Sequence, residues 1–294
     1  MSQQLILEKT FLATAMLVVA ILGTNNFANA GIFADRVESF ASGSTATPGY
    51  NDPTVTLGPP TQFYGAPFPS VVSPFSPAYL ATDNFSIGEG GQLTLRFSNY
   101  VKSSAGGPEI GVFSSGGIID TNFATHQAGP GLSAVNGTFS IGNTVNVEVS
   151  AEKLTWVSLG SHLLDVPTDG YTNLTDPYAT SSVGGTPSDF GQPFTGNLSS
   201  FNNLTYTQML TMLNGSGGGT WLDISSTGLS DIGYIRFTLP DDGNPATELE
   251  LKIDAVSVAN GFSGAPLPEP STLLLAAVGA AGLLLARQRS RRLR

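Results

Sequence analysis

Apolar and polar positions alternate through the middle of the chain. In QLTLRFS, Leu93, Leu95 and Phe97 are separated by Thr94, Arg96 and Ser98, and a period of two places the apolar set on one face of an extended strand. The pattern predicts a half-buried antiparallel strand with its polar partners outward. VNVEVSA does the same with Val145, Val147 and Val149, and YIRFTL with Ile235, Phe237 and Leu239. LELKIDAVSV changes parity: Leu249, Leu251 and Ile253 are odd, Val256 and Val258 even. Either a β-bulge near Ala255 keeps both sets facing one core, or the strand is buried on both faces at its end.

One stretch has helical punctuation instead. In NLTYTQMLTMLNG, Thr205 and Gln208 have the spacing of a capping box, Leu204 and Met209 can form a hydrophobic staple, and Gly215 follows the last apolar residue. A helix near Tyr206 to Leu213 is predicted, with Met209, Leu210, Met212 and Leu213 as packing residues. Two segments fit neither period. Residues 45–81 and 166–194 are rich in proline, glycine and aromatics, and proline removes ladder donors, so long ordered loops or edge regions are predicted. Such loops serve either as binding loops or as surface decoration.

The ends differ from the body. Lys9 precedes an apolar stretch from Phe11 to Gly23, and Ala28 and Ala30 occupy the small-residue positions of a signal-peptidase site, predicting cleavage before Gly31. At the other end Leu273 to Ala286 is 14 uninterrupted apolar residues, about 21 Å of helix against a hydrocarbon core of about 30 Å. Pro268 and Pro270 isolate it from the body, and Arg287, Arg289, Arg291, Arg292 and Arg294 follow it. Those arginines would stay cytoplasmic and can snorkel, so a membrane helix with the body outside is expected.

Composition narrows the body's class. Gly 35 and Pro 19 with 40% hydrophobic content suit many short strands joined by turns around a real core. The chain has no cysteine, which excludes disulfides and thiolate sites. Gly31 to Leu267 carries 20 acids against 6 bases, a net charge of −14, which argues against nucleic acid and anionic membrane surfaces as partners. Residues 31–261 contain no evident linker and no internal repeat, so one extracytoplasmic domain is expected. Residues 262–270 read as its linker, 271–286 as the membrane helix and 287–294 as a cytoplasmic tail.

Pro268-Glu269-Pro270, a short apolar helix and a terminal arginine cluster together resemble the PEP-CTERM sorting signal of Gram-negative, biofilm-forming bacteria. The resemblance implies that Pro268, Glu269 and Pro270 are a substrate site for an exosortase, a membrane transpeptidase that passes the body to the envelope or matrix. An ordinary single-span anchor is the alternative. In the body, VEVSAEKLTWVSLG and YIRFTLPDDGNPATELELKIDAVSV resemble segments of discoidin-like and galactose-binding-like jelly rolls, with Glu152-Lys153 where those modules usually turn on Asp-Gly. The fold implied is all-β: a two-sheet jelly-roll-like sandwich with one short helix, plus a signal helix and a C-terminal transmembrane helix.

Catalytic motifs are absent: there is no G-x-S-x-G, H-E-x-x-H or P-loop, and His126 and His162 are the two histidines, expected at the surface. No enzyme is expected, although glycoside hydrolysis needs only two carboxylates whose separation a sequence does not show. Asp241, Asp242 and Asn244 in DDGN, with Asp254 and with Asp52 and Glu250 as further candidates, could serve calcium or be solvated loop acids. Tyr50, Tyr64, Tyr171 and Tyr178, with Phe63 and Tyr79, could stack on sugar rings of a polysaccharide or pack beneath their own loops. Trp156 and Trp221 are expected in the core. The expected role is that of an exported envelope or matrix protein with structural or interaction function; the alternative is a surface carbohydrate-binding module.

Overall fold

The alternating segments form two sheets whose apolar faces meet. The computed structural model describes residues 31–104, 106–134, 144–244, 249–260 and 263–267. The predicted signal helix, the sorting motif, the apolar segment after it and the arginine tail lie outside the described residues. Among those described, no helix is long and apolar enough to cross a membrane.

The first sheet contains β1 (Arg36–Ala41), β5 (Gln92–Lys102), β9 (Thr144–Ser150), β10 (Val157–Leu163) and β12 (Asp231–Thr238), in the order β1-β5-β12-β9-β10. The second contains β4 (Phe85–Gly88), β6 (Ile110–Ser114), β11 (Thr220–Leu222) and β13 (Glu250–Val258), in the order β11-β6-β13-β4. Omitting β1, the chain passes from β4 to β5 to β6, then β9 and β10, then β11 to β12 to β13, changing sheet at every step except the β9–β10 hairpin. Eight antiparallel strands wound in that order, β4-β13-β6-β11 over β5-β12-β9-β10, are a jelly roll.

The predicted apolar faces fill the space between the sheets. Leu93, Leu95, Phe97, Val145, Val147, Val149, Ile235 and Phe237 meet Phe85, Ile87, Ile110, Val112, Leu251, Ile253, Val256 and Val258 in one buried cluster. The parity change in β13 is a bulge: its register against β6 shifts between Ile253 and Ala255. That strand is also buried on its other face, where Lys252, Asp254 and Ala255 lie beneath additional chain. Both readings of the pattern hold, because a bulged central strand can be covered on both sides.

Two polar expectations fail. Thr94 and Arg96, expected outward on β5, are each 2% exposed. The residues read as a linker reach Arg96: β14 (Ser263–Pro266) extends the sheet beside β5 over Asn99–Val101, and Arg96 donates to the Leu267 carbonyl at 3.4 Å. Leu267 is itself buried and seats against Gly233, where a Cβ would lie 2.3 Å from its Cδ2. The body therefore extends past residue 261, with Pro266 on an edge strand that tolerates it.

The proline-rich segments build an outer layer on the second sheet. They include β2 (Phe63–Tyr64) paired with β3 (Ser70–Val71), and they pack beside the hairpin of β7 (Gly117–Asn122) and β8 (Gln127–Ala134). The helix α1 spans Tyr206–Leu213, as predicted, with Thr205 and Gln208 capping reciprocally and Asn214 rather than glycine taking the left-handed C-cap. Its Tyr206, Met209 and Leu213 join Phe75, Ile118, Val166, Phe194 and Phe201 in a second apolar cluster. A third contact zone, Phe113 and Ala255 against Phe190 and Trp221, joins that layer to the sheet.

Candidate functional site

A concavity opens where the outer layer meets the edge strand β11. It has a volume of about 690 Å³ and is lined by Leu163, Val166, Phe194 and Trp221, with Asp165, Asp223, Asn197 and Asn202 supplying polar groups. Each wall has a local cause. Trp221 is half-buried on β11, opposite Gly111 of β6, where a Cβ would lie 2.8 Å from the indole ring. Its Nε1 donates to the Gly218 carbonyl at 2.9 Å, and its ring meets Phe113 edge-on at 6.4 Å. Trp221, expected in the core, is thus half-buried: it packs on Phe113 and is also one wall of the cleft.

The opposite wall is the segment before α1. Asn197 caps a 3-10 turn over Leu198–Phe201, and Phe194 rests on Phe201 at 5.6 Å. Asp165, in the strand exit after β10, is pushed above the usual carboxylate range by burial. Asp223 is exposed and accepts from the Ser225 backbone N–H at 2.8 Å. Aromatic and aliphatic walls with a few amides and carboxylates form the kind of site that takes an amphipathic small molecule.

The predicted sugar-stacking tyrosines are scattered and differently employed. Tyr64 is 6% exposed with its hydroxyl bonded to Ser76, and Tyr171 is 8% exposed; both are packing positions because the proline-rich loops bury their own aromatics. Tyr50 carries the Lys252 ammonium over its ring at 4.6 Å. Tyr178 is half-buried and donates to Asp120 at 3.4 Å, beside His126, whose Nδ1 lies 3.0 Å from the same carboxylate. Phe123, 74% exposed at the tip of the β7–β8 hairpin, sits 6.3 Å from Tyr178. Trp156, expected in the core, is instead half-buried with the Arg236 guanidinium 4.0 Å above its ring.

The predicted calcium ligands divide. Asp241 and Asp242 are close to Glu89. Asn244 follows them, its backbone N–H donating to Asp242 at 2.7 Å. Asp254 is elsewhere, on the outer face of β13, accepting from the Thr61 backbone N–H at 2.9 Å. Burial pushes its carboxyl up to about 8. Glu250 and Asp52 are also employed locally, Glu250 by Thr47 and Ser86 and Asp52 by Thr54.

Residues 266–292 match the PEP-CTERM protein-sorting motif. The motif marks an exported, envelope-associated protein and implies processing by an exosortase. The match begins at Pro266, inside β14. No curated protein matches the sequence. Among solved structures, the chain is similar to the CBM32-3 module of a family 31 glycoside hydrolase from Clostridium perfringens, at 10% identity over 77% of this chain and 89% of that one, with a TM-score of 0.26.

Sequence reasoning missed the cleft because its walls come from stretches far apart in the chain. Leu163, Asp165, Phe194 and Asn197 share no local pattern in the sequence.

Proposed function

We propose that this chain is an exported envelope or extracellular-matrix protein with an interaction role, and that its jelly roll binds a neutral carbohydrate in the cleft beside Trp221. The observation that carries this reading is the composition of the cleft: indole and phenyl groups with Asp165, Asp223, Asn197 and Asn202 in one concavity. Aromatic faces take the C–H surfaces of a sugar ring, and amides and carboxylates take its hydroxyls. A body of net charge −14 favours neutral over acidic glycans.

Binding to a broad glycan array tests it. Thr195 is exposed and lines the cleft, so Thr195→Trp is expected to fill the cleft and remove binding while leaving the melting temperature within a few degrees. A protein that binds nothing on the array, or binds equally well with Thr195→Trp, would sink the reading. A second reading, glycan hydrolysis, is favoured by one observation: Asp165, whose carboxyl burial raises above its ordinary value, and Asp223 line the same cleft. Release of reducing ends from a bound glycan, abolished by Asp165→Asn, would favour it over binding alone.

The export route has its own test. Intact mass of the protein recovered from envelope and medium is expected to show a species beginning at Gly31 and ending near Pro268, with Glu269→Ala retaining the C-terminus. An intact C-terminus in every fraction of the unmodified protein would favour a plain membrane anchor.

A further inference from the structure

In a jelly roll the connections β4–β5 and β12–β13 lie at the same end of the sandwich. Here they are stitched together: the Gly90 N–H donates to the Leu239 carbonyl at 3.0 Å and the Leu239 N–H to the Gly91 carbonyl at 3.1 Å. Beside this stitch Glu89, Asp241 and Asp242 each bring a carboxylate oxygen within 4.8 Å of the others. Asp241 and Asp242 are exposed, but Glu89 is only 8% exposed, and its Oε1 is buried with no hydrogen-bond partner. The backbone holding that side chain is fixed, since the Glu89 N–H donates to Thr45 Oγ1 at 2.8 Å and its carbonyl accepts from the Ser44 N–H at 2.9 Å.

A buried carboxylate oxygen without a partner is costly, and two further carboxylates aimed at the same point add repulsion. A side-chain hydrogen bond between Glu89 and Asp242 already ties two of the three acids together. A divalent cation would relieve both costs at once. We infer that Glu89, Asp241 and Asp242 form a calcium-type divalent-cation site clamping the β4–β5 turn to the β12–β13 loop. Calcium suits it because three carboxylates from turns supply hard oxygen ligands without fixed octahedral geometry, and water can complete a shell of six to eight. Asp254, read from sequence as a ligand, has no part in it, and Glu89 takes its place. The site stands apart from the cleft, so it is independent of what the cleft binds.

The test is thermal unfolding and isothermal titration of the full-length protein after chelation, with calcium chloride as the probe. Calcium is expected to raise the melting temperature saturably, with a dissociation constant of about 10⁻⁴ to 10⁻³ M, as in extracellular modules. Glu89→Gln is expected to weaken binding at least about tenfold. The double variant Asp241→Asn with Asp242→Asn should abolish it, and Asp254→Asn should leave the affinity unchanged. Magnesium at the same concentration should give a smaller shift. No saturable shift and no heat at about 10 mM calcium, a shift that survives the Asp241/Asp242 double variant, or an equal shift with magnesium would overturn the assignment. Should Glu89→Gln fail to fold, the exposed Asp241/Asp242 pair decides alone.

Discussion

The unfolding free energy is expected to fall as pH rises from 5 to 8, opposite to the behaviour of a protein held by surface ion pairs. Two buried carboxyls dictate the sign. Burial pushes Asp254 up to about 8 and Asp169 up to about 7, from an ordinary value of 3.8. The hydrogen bonds they accept, from Thr61 and from the Tyr206 hydroxyl at 2.8 Å, only partly offset that burial. Between the ordinary and the raised value the folded protein holds a proton that the unfolded chain has lost. The stabilisation is therefore complete below about pH 4 and is lost as pH rises through about 7 for Asp169 and about 8 for Asp254.

Each group gives a slope of at most about −1.4 kcal/mol per pH unit inside its window, so on the order of 2–3 kcal/mol per group is lost between pH 5 and 7. Glu250 does not blur the result. Burial opposes its ionisation, but Ser86 and Thr47, then Lys252, outweigh that and hold it below the ordinary value, so it is ionised throughout this range. Denaturant unfolding in chelator at pH 5, 6, 7 and 8 measures the slope. Asp254→Asn keeps a neutral acceptor for the Thr61 N–H and is expected to flatten the profile above pH 6. A stability that rises with pH, or an unchanged profile in Asp254→Asn, would refute the account.

The strand faces were legible because a period of two is a local signal. Leu93, Leu95 and Phe97 needed no knowledge of their partners to be assigned to one face, and the bulge at Ala255 appeared as a change of parity within one strand. The capping box at Thr205 was legible for the same reason, being written in four consecutive residues. What the pattern could not carry was the second layer. Arg96 looked outward because period two names the two faces of a strand, and the carbonyl it bonds belongs to Leu267, more than 160 residues away in the chain.

The candidate sites show the same division. Asp241 and Asp242 were legible as an acidic turn, but Glu89 reads as an isolated acid until the β4–β5 turn meets the β12–β13 loop. Asp254 could have been set aside on parity alone: with Leu251 and Ile253 facing the core, residues 250, 252 and 254 share the opposite face of β13, far from a loop-end cluster. Tyr64 and Tyr171 carried no local mark of burial. Their loops are proline-rich, which is read as exposure, whereas here proline stiffens a layer that covers Phe113 and Ala255.

That layer meets the jelly roll at a run of glycines, and Gly218→Ala is expected to be the most damaging small substitution in the body. Gly218 has φ of +74° and would place a Cβ 2.2 Å from the Pro167 carbonyl oxygen. Its own carbonyl accepts the Trp221 indole N–H. A left-handed alanine costs about 1–2 kcal/mol before any contact is counted, and here the obstacle is backbone, held in place by the Gly219 N–H donating to that same Pro167 oxygen at 3.2 Å. The layer must move or the strand must shift. A total near 3 kcal/mol lowers the melting temperature of a domain this size by roughly 6–12 °C. Gly58 supplies the comparison, since its φ is +88° but nothing lies within 4 Å of the Cβ position. Gly58→Ala should therefore show the conformational cost alone. If the two variants melt together, the Pro167 contact contributes nothing. If Gly218→Ala melts well below Gly58→Ala and also shifts the Trp221 fluorescence, the outer layer is fastened to the sandwich at this point, and the cleft beside Trp221 depends on it.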